Sequence, residues 1–211
     1  LEYGIKALTI QGGGFDAYAY NVQIAVENYF IIHGHVSNDR TDHDTLIPVM
    51  EKYRMAFGEM LEEVTADSGY CSEKNLLYLN EHQIASYIKL QDHEKRKIRA
   101  HTEDIGRHYN MTYRIFEDEH YYICHDGRQQ RHNRTETREK DGYIQTFEVY
   151  GCGDCSGCEH KSLSLYKYDA EKNVDWNKVM KINERWEELK EGSNANIQSE
   201  KGILKRKIRS I

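Results

Sequence analysis

The chain has 211 residues, a net charge of −6 and a mean hydropathy of −0.85, with 38% hydrophobic and 30% charged residues. This length supports one hydrophobic core and leaves room for a second small module. Apolar runs are too short to span a membrane and no signal-peptide pattern opens the chain, so we expect no membrane partner. Without a secretory signal, the five cysteines predict reduced thiols rather than a disulfide framework.

The charges are unevenly distributed. Residues 1–90 carry 6 Lys and Arg against 13 Asp and Glu, whereas residues 91–211 carry 23 against 22. In the second part the basic residues cluster at 95–99, 128–138 and 201–209. An acidic part beside locally basic segments suits a protein that holds cations in one place and phosphates in another. A solvated face of mixed charge is the commoner explanation of any single cluster.

The first ninety residues predict a mixed sheet. Residues 1–16 contain three consecutive glycines and predict a flexible lead-in without core residues. Two β-rich runs follow at 18–26 and 29–36, and the two residues between them predict a tight hairpin. A helix opened by Asp42 or Asp44 as its cap should place Leu46, Val49, Met50 and Tyr53 on one face.

A β-α-β unit comes next, with strands at 64–66 and 85–90 around a helix over 72–82. Together with the hairpin it predicts a mixed sheet with helices packed on it over residues 17–91. Residues 92–170 are polar and basic, with β-like runs at 112–124 and 143–150, and predict an insertion with its own small fold. Residues 171–211 should return to helix, at 173–191 and again at 197–211.

Asp67 follows the predicted strand at 64–66, and Gly69 comes two residues later. Ligands of open α/β sheets bind at the carboxyl ends of the strands, where such a side chain points into a crevice. An aspartate before a turn is more often a turn former or a helix cap. The spacing alone leaves both interpretations open.

Three motifs together carry a family resemblance: the "AYNVQIAV" strand, the "D-x-x-TLIP" helix opening and the "ADSGY-x-SE-x-N" turn. They cover about residues 17–91, and "YGCGDCSGC" and "SEKGILKRKIRSI" extend the match to the end. The chain resembles bacterial insertion-sequence transposases of the DDE class, in the family with a cysteine-bearing insertion before the last catalytic helix. The resemblance implies an α/β, ribonuclease-H-like mixed sheet flanked by helices and interrupted by a small β-rich insertion.

The resemblance also implies that three carboxylates bind two Mg²⁺ ions for DNA strand cleavage and transfer. Asp67 matches the second aspartate of the family and is the candidate catalytic and Mg²⁺-binding residue. The first aspartate belongs upstream of the "YNVQ" strand, and Asp16 stands too close to that strand to be it. The third carboxylate, a glutamate, would follow Ile211. Asp42 and Asp44 are further carboxylates, but helix capping explains them better.

The cysteines predict a metal site or its remnant. Cys152, Cys155 and Cys158 form C-x2-C-x2-C, and Cys124 ends an earlier β-like run. Four thiolates suit tetrahedral Zn²⁺, with His160 as a spare ligand, whereas the same spacing also occurs in iron–sulfur sites. Reduced, unliganded thiols are an equal alternative, because Ser164 stands where the family typically has a further cysteine.

The basic tail predicts a DNA contact. In the family, the helix that carries the last glutamate begins in this tail, and its first part contains Lys205, Arg206 and Arg209. Cations at these positions would contact the phosphates of the DNA backbone. A solvated amphipathic helix explains the same pattern.

We therefore expect an interior fragment of a bacterial cytoplasmic transposase that acts on transposon ends and target DNA, with an oligomer as one option for its full-length parent. The fragment should be inactive and should lack the central strand of its sheet. The alternatives are a non-catalytic remnant that binds DNA or zinc, and an unrelated metal-dependent nuclease with other carboxylates around Asp67.

Overall fold

The computed structural model describes residues 3–10, 20–28, 30–140 and 142–209, without the side chains of 3–10, 140, 206, 208 and 209. It divides into two compact units, one formed by residues 1–93 with 185–211 and the other by residues 94–184. The insertion predicted at 92–170 therefore extends to Glu184. No helix in the described ranges has the length and apolar character needed to cross a membrane.

The first unit contains a five-stranded mixed sheet in the order β3-β2-β1-β4-β5. Its strands are β1 (Tyr3–Ile10), β2 (Tyr20–Glu27), β3 (Phe30–Ser37), β4 (Glu63–Ala66) and β5 (Ala85–Ile88). Strand β2 is antiparallel to both of its neighbours, whereas β1, β4 and β5 run parallel. The predicted hairpin and the mixed α/β sheet are confirmed.

Strand β1 corrects the prediction of a flexible lead-in at 1–16. Tyr3–Ile10 pairs with β2 over eight positions and with β4 at Gly4↔Thr65, so the sheet has its central strand. The flexible lead-in was predicted from the three glycines at 12–14. The residues before them include the β-favouring types Tyr, Ile, Leu and Thr, and they form a strand because a partner strand lies on each side. Residues 11–16, including Asp16, lie outside the described residues.

The helices of the first unit are α1 (Leu46–Phe57), α2 (Glu73–Glu81), α5 (Glu184–Gln198, whose first residue belongs to the second unit) and α6 (Glu200–Arg209). As predicted, α1 buries Leu46, Val49, Met50 and Tyr53. The predicted caps are wrong, because α1 begins after Thr45 and Asp42–Asp44 forms a separate 3-10 turn. The core joins α1 and α2 to β4 and β5.

The second unit contains an antiparallel sheet in the order β10-β9-β8-β7-β6. Its strands are β6 (Thr112–Phe116), β7 (Glu119–Ile123), β8 (Gln129–Lys140), β9 (Tyr143–Cys152) and β10 (Val179–Ile182), with short helices α3 (Arg99–Thr102) and α4 (Lys161–Ser164). Strand β10 corrects the helix predicted at 173–191. Exposed and buried residues alternate along its four positions, which is the period of a strand paired with β9.

Helices α5 and α6 are fixed to the sheet by polar contacts. Ser193 and Asn196 of α5 donate hydrogen bonds to the carbonyls of Ile88 (2.9 Å) and Ser86 (3.1 Å) in β5. The ammonium of Lys205 in α6 lies 2.7 Å from a carboxylate oxygen of Glu63, and Lys201 pairs with the same carboxylate. Lys205 is only 5% exposed. The pair therefore anchors α6 to the beginning of β4.

This burial corrects the prediction that Lys205 contacts DNA. Its ammonium is enclosed between Glu63 and the ring of Tyr87, with the nitrogen 5.3 Å from the ring centroid. A buried cation that already has a carboxylate partner is not available to a phosphate. The side chains of Arg206 and Arg209 lie outside the described residues, so their DNA contact stays a prediction.

Replacing Glu63 should destabilise the first unit. Glu63→Gln leaves the Lys205 charge buried without its carboxylate, which should cost roughly 3 kcal/mol of unfolding free energy at neutral pH. Burial acts to raise the pKa of Glu63, but hydrogen bonds from Lys201 and Lys205 outweigh it, and the pKa is lowered. The stabilisation is thus present above the unfolded-state pKa and lost as pH falls through the folded-state pKa.

Urea unfolding of wild type and Glu63→Gln at neutral pH and in acid measures this effect. The difference in unfolding free energy should shrink as the pH drops below about 4.5, the ordinary range of a glutamate. Glu81→Gln, on the exposed surface of α2, is the matched control and should be neutral. A pH-independent difference would contradict the ion-pair explanation.

Candidate functional site

Asp67 directly follows β4, whose four residues are all buried, and its side chain is exposed. It precedes the 3-10 turn Ser68–Tyr70 without making a side-chain cap hydrogen bond. Helix α2 is instead capped by Ser72, whose hydroxyl accepts a hydrogen bond from the Asn75 amide at 3.2 Å. The expected position of Asp67 at the carboxyl end of a central strand is confirmed. That its side chain faces a cleft stays a prediction, because the cleft at this edge is lined by Gly69 of the same turn and not by Asp67. The catalytic role of Asp67 also stays a prediction.

Asn75 fixes the turn that Asp67 begins. Its side-chain amide donates to the carbonyl of Tyr70 at 2.9 Å and to the carbonyl of His43 at 2.8 Å. The side-chain amide of Gln91 contacts His43 Nε2 at 3.0 Å and the Cys71 carbonyl at 3.4 Å. The Asp67 turn and the Asp42–Asp44 turn are thus held side by side at one edge of the sheet.

Asp42 is the residue that sequence reasoning misread. One of its carboxylate oxygens accepts hydrogen bonds from Asn21 at 3.0 Å and Gln23 at 3.2 Å, both in β2. Asn21 and Gln23 are buried and bonded to each other at 2.7 Å. Two polar residues on the buried face of a strand need a partner, and that pattern was the available signal for Asp42.

The other Asp42 oxygen faces Gly69. A Cβ atom at Gly69 would lie 2.9 Å from Asp42 Oδ2, so any larger residue there would have to displace the carboxylate. A cleft of about 480 Å³ opens here, lined by residues 38–43, by Tyr20 and Asn21, and by Gly69. This cleft lies at the edge where β1 and β4 have their carboxyl ends, which is the usual ligand position in an open α/β sheet.

The donors at this edge do not fit a two-metal centre. The resemblance requires three carboxylates, and among the described residues no group of three His, Cys, Asp or Glu side chains is placed to hold a metal ion. One Asp42 oxygen is already engaged by two amides. We therefore derive no catalytic step through Mg²⁺.

The cysteine region is ordered by backbone contacts. The Lys178 amide donates to Cys155 Sγ at 3.3 Å, and the Cys152 amide donates to the Lys178 carbonyl at 2.9 Å. The Asn177 side chain accepts from the Cys155 amide at 2.8 Å and donates to the Gly153 carbonyl at 3.1 Å. These bonds fix the short loop between Cys152 and Cys155.

The four thiols are only partly brought together. Burial raises the pKa of Cys152 to about 11, helped by a hydrogen bond with Cys155 and by the charges of Cys155 and Cys124. Burial also raises the pKa of Cys158, which is hydrogen-bonded to Asp126 instead. Among the described side chains no group of three His, Cys, Asp or Glu is placed to hold a metal ion, and the four-thiolate Zn²⁺ site stays a prediction.

No protein-family model, curated protein or solved structure matches this chain.

The contact between Gly69 and Asp42 predicts an energetic coupling. Gly69→Ala should destabilise the protein by about 1–3 kcal/mol, because the added methyl group displaces an anchored carboxylate. In an Asp42→Ala background the same change should cost at least about 0.5 kcal/mol less. Urea unfolding of the two single variants and the double variant measures the coupling.

Gly192→Ala, where nothing lies within 4 Å of the new methyl group, is the control and should not destabilise the protein. Strict additivity would contradict the contact.

Proposed function

We propose that this chain is a fragment of a DNA transposase of the ribonuclease-H-like DDE class. The observation that carries the proposal is the position of Asp67, exposed directly after a fully buried strand and not used as a helix cap. A sheet in which an antiparallel hairpin continues into parallel strands is consistent with that fold class. The parent enzyme would cleave DNA at transposon ends and join it to a target, with water and then a DNA 3′-hydroxyl as nucleophiles.

The chain itself should not cleave DNA. Phosphodiester hydrolysis is among the slowest uncatalysed reactions, and a catalyst must lower its barrier by on the order of 20 kcal/mol. Two metal ions about 4 Å apart supply this in enzymes of the class. The described residues offer Asp67 and Asp42 at this edge but no third donor grouped with them. Two carboxylates, one of them tied to amides, are too few to position both ions.

A nicking assay on supercoiled plasmid tests the proposal. We expect no strand cleavage with Mg²⁺ or Mn²⁺, since misplacing reacting groups by about 1 Å already costs roughly a hundredfold in rate. If nicking occurs, comparing Asp67→Ala and Asp42→Ala with wild type shows whether these carboxylates are responsible. Asp175→Ala, at an exposed position outside the first unit, is the control. Metal-dependent nicking that Asp67→Ala abolishes and Asp175→Ala retains would contradict inactivity and support the Asp67 site.

A bacterial cytoplasmic setting fits the five free cysteines and forms part of the same proposal. A non-catalytic remnant that binds zinc is the second candidate, favoured by the ordered Cys152–Cys155 loop. Zinc binding by all four thiols would require Cys158 to exchange Asp126 for the ion.

Zinc titration under reducing conditions tests the second candidate. Asp126→Ala should bind Zn²⁺ more tightly than wild type, because it releases Cys158, whereas Cys155→Ala should bind it more weakly than wild type. Affinity should rise with pH, since the ion displaces protons from thiols such as Cys152, whose pKa is raised to about 11. Equal affinities for wild type and both variants would exclude a site built from these thiols.

A further inference from the structure

The second sheet gathers basic side chains on one of its faces. Arg114, Tyr121 and Arg131 lie directly opposite one another on β6, β7 and β8, so all three project to the same side. Arg134 of β8 and Lys181 of β10 both pair with Val149 of β9, which lies between them. Their side chains therefore also project to one side of the sheet.

A β-bulge puts Arg131 and Arg134 on one face. Residues three apart in a regular strand point to opposite faces, but the register of β8 against β9 shifts between His132 and Arg134. Asn133 is the extra residue, and its side chain lies 2.5 Å from where a Cβ of Gly151 would be. Arg138 continues the face, four residues after Arg134. We call these cations the arginine face: Arg114, Arg131, Arg134, Arg138 and Lys181.

The arginine face is exposed and carries an excess of positive charge. The side chains of Arg131, Arg134 and Lys181 are 61%, 58% and 52% exposed. Two carboxylates share the face, with Glu119 paired to Arg131 and Glu136 paired to Arg134 and Lys181. Exposed pairs of this kind contribute little to stability, so their cations can exchange a carboxylate for a phosphate.

Aromatic rings accompany the cations. Tyr121 stands between Arg114 and Arg131 across the sheet, and Phe147 lies opposite Glu136 in the same face. Successive positions on one face are about 7 Å apart along a strand. Cations that track a backbone and rings on which bases stack are the two elements of single-strand recognition.

We propose that the arginine face binds a single strand of DNA running along β8. The inference rests on the proposed function in taking DNA as the partner, but it uses no residue of the Asp67 edge. It replaces Lys205, which is buried against Glu63, as the source of the DNA contact. Charge complementarity selects a polyanion, and Tyr121 and Phe147 select one with flat bases.

Fluorescence anisotropy with a labelled single-stranded oligonucleotide tests the charge requirement. The triple variant Arg131→Gln, Arg134→Gln, Arg138→Gln should bind at least about tenfold more weakly at low salt. Its salt slope should fall by about 2, as expected for three lost phosphate contacts on a single strand. The control Arg107→Gln, Lys167→Gln, Lys172→Gln removes the same charge from exposed positions of the same unit, outside the basic clusters, and should keep wild-type binding. Equal losses in both triple variants would overturn the proposal.

Tyr121→Leu tests the requirement for bases while keeping the charge. It should weaken DNA binding at least about fivefold, the effect of one lost stacking contact, and leave heparin binding unchanged. Equal loss of both ligands, or tighter binding of duplex than of single-stranded DNA, would overturn the single-strand assignment. If the protein does not cleave DNA but still binds it through the arginine face, the DNA-binding role of this face holds independently of the proposed transposase function.

Discussion

The arrangement of the first unit depends on the pairing of one strand, Tyr3–Ile10, with two partners of opposite direction. Its antiparallel edge holds the β2–β3 hairpin, and its parallel edge holds β4 and, through it, β5. Without this strand the hairpin and the β-α-β unit would be separate pieces with exposed edges. Because β1 and β4 are parallel, their carboxyl ends share one edge. That constraint sets the Asp67 turn beside the cleft that contains Asp42.

Strand β4 carries a carboxylate at each end, and the two have different surroundings. Glu63 begins the strand, is buried, and is neutralised by Lys201 and Lys205 of α6. Asp67 follows the strand and is exposed. A buried carboxylate with two ammonium partners has a structural role, because its charge is already compensated. The ligand-binding role that the proposed function requires is assigned to the exposed carboxylate at the other end.

Local patterns predicted much of the first unit, whereas contacts distant in sequence explain what was missed. The apolar face of α1 and the strand before Asp67 could be predicted from sequence because short-range periodicity determines them. Strand β1 was missed because three glycines follow it in the sequence and because its pairing with β2 and β4 is not visible in the local pattern. Asp42 was misread as a cap for a similar reason: its partners, Asn21 and Gln23, lie two strands earlier in the chain.

The basic clusters illustrate why sequence proximity is a poor guide to a binding surface. Arg128 and Arg131 are neighbours in the sequence, yet Arg128 pairs with Asp126 and donates to the Asp154 carbonyl in the cysteine region. Arg131 belongs instead to the sheet, where a single bulge residue brings it onto the face of Arg134. Gly151 in the opposite strand leaves room for the Asn133 side chain, whose amide nitrogen would lie 2.5 Å from a Cβ at that position. The continuity of the arginine face therefore rests on one inserted residue, Asn133, which carries no charge.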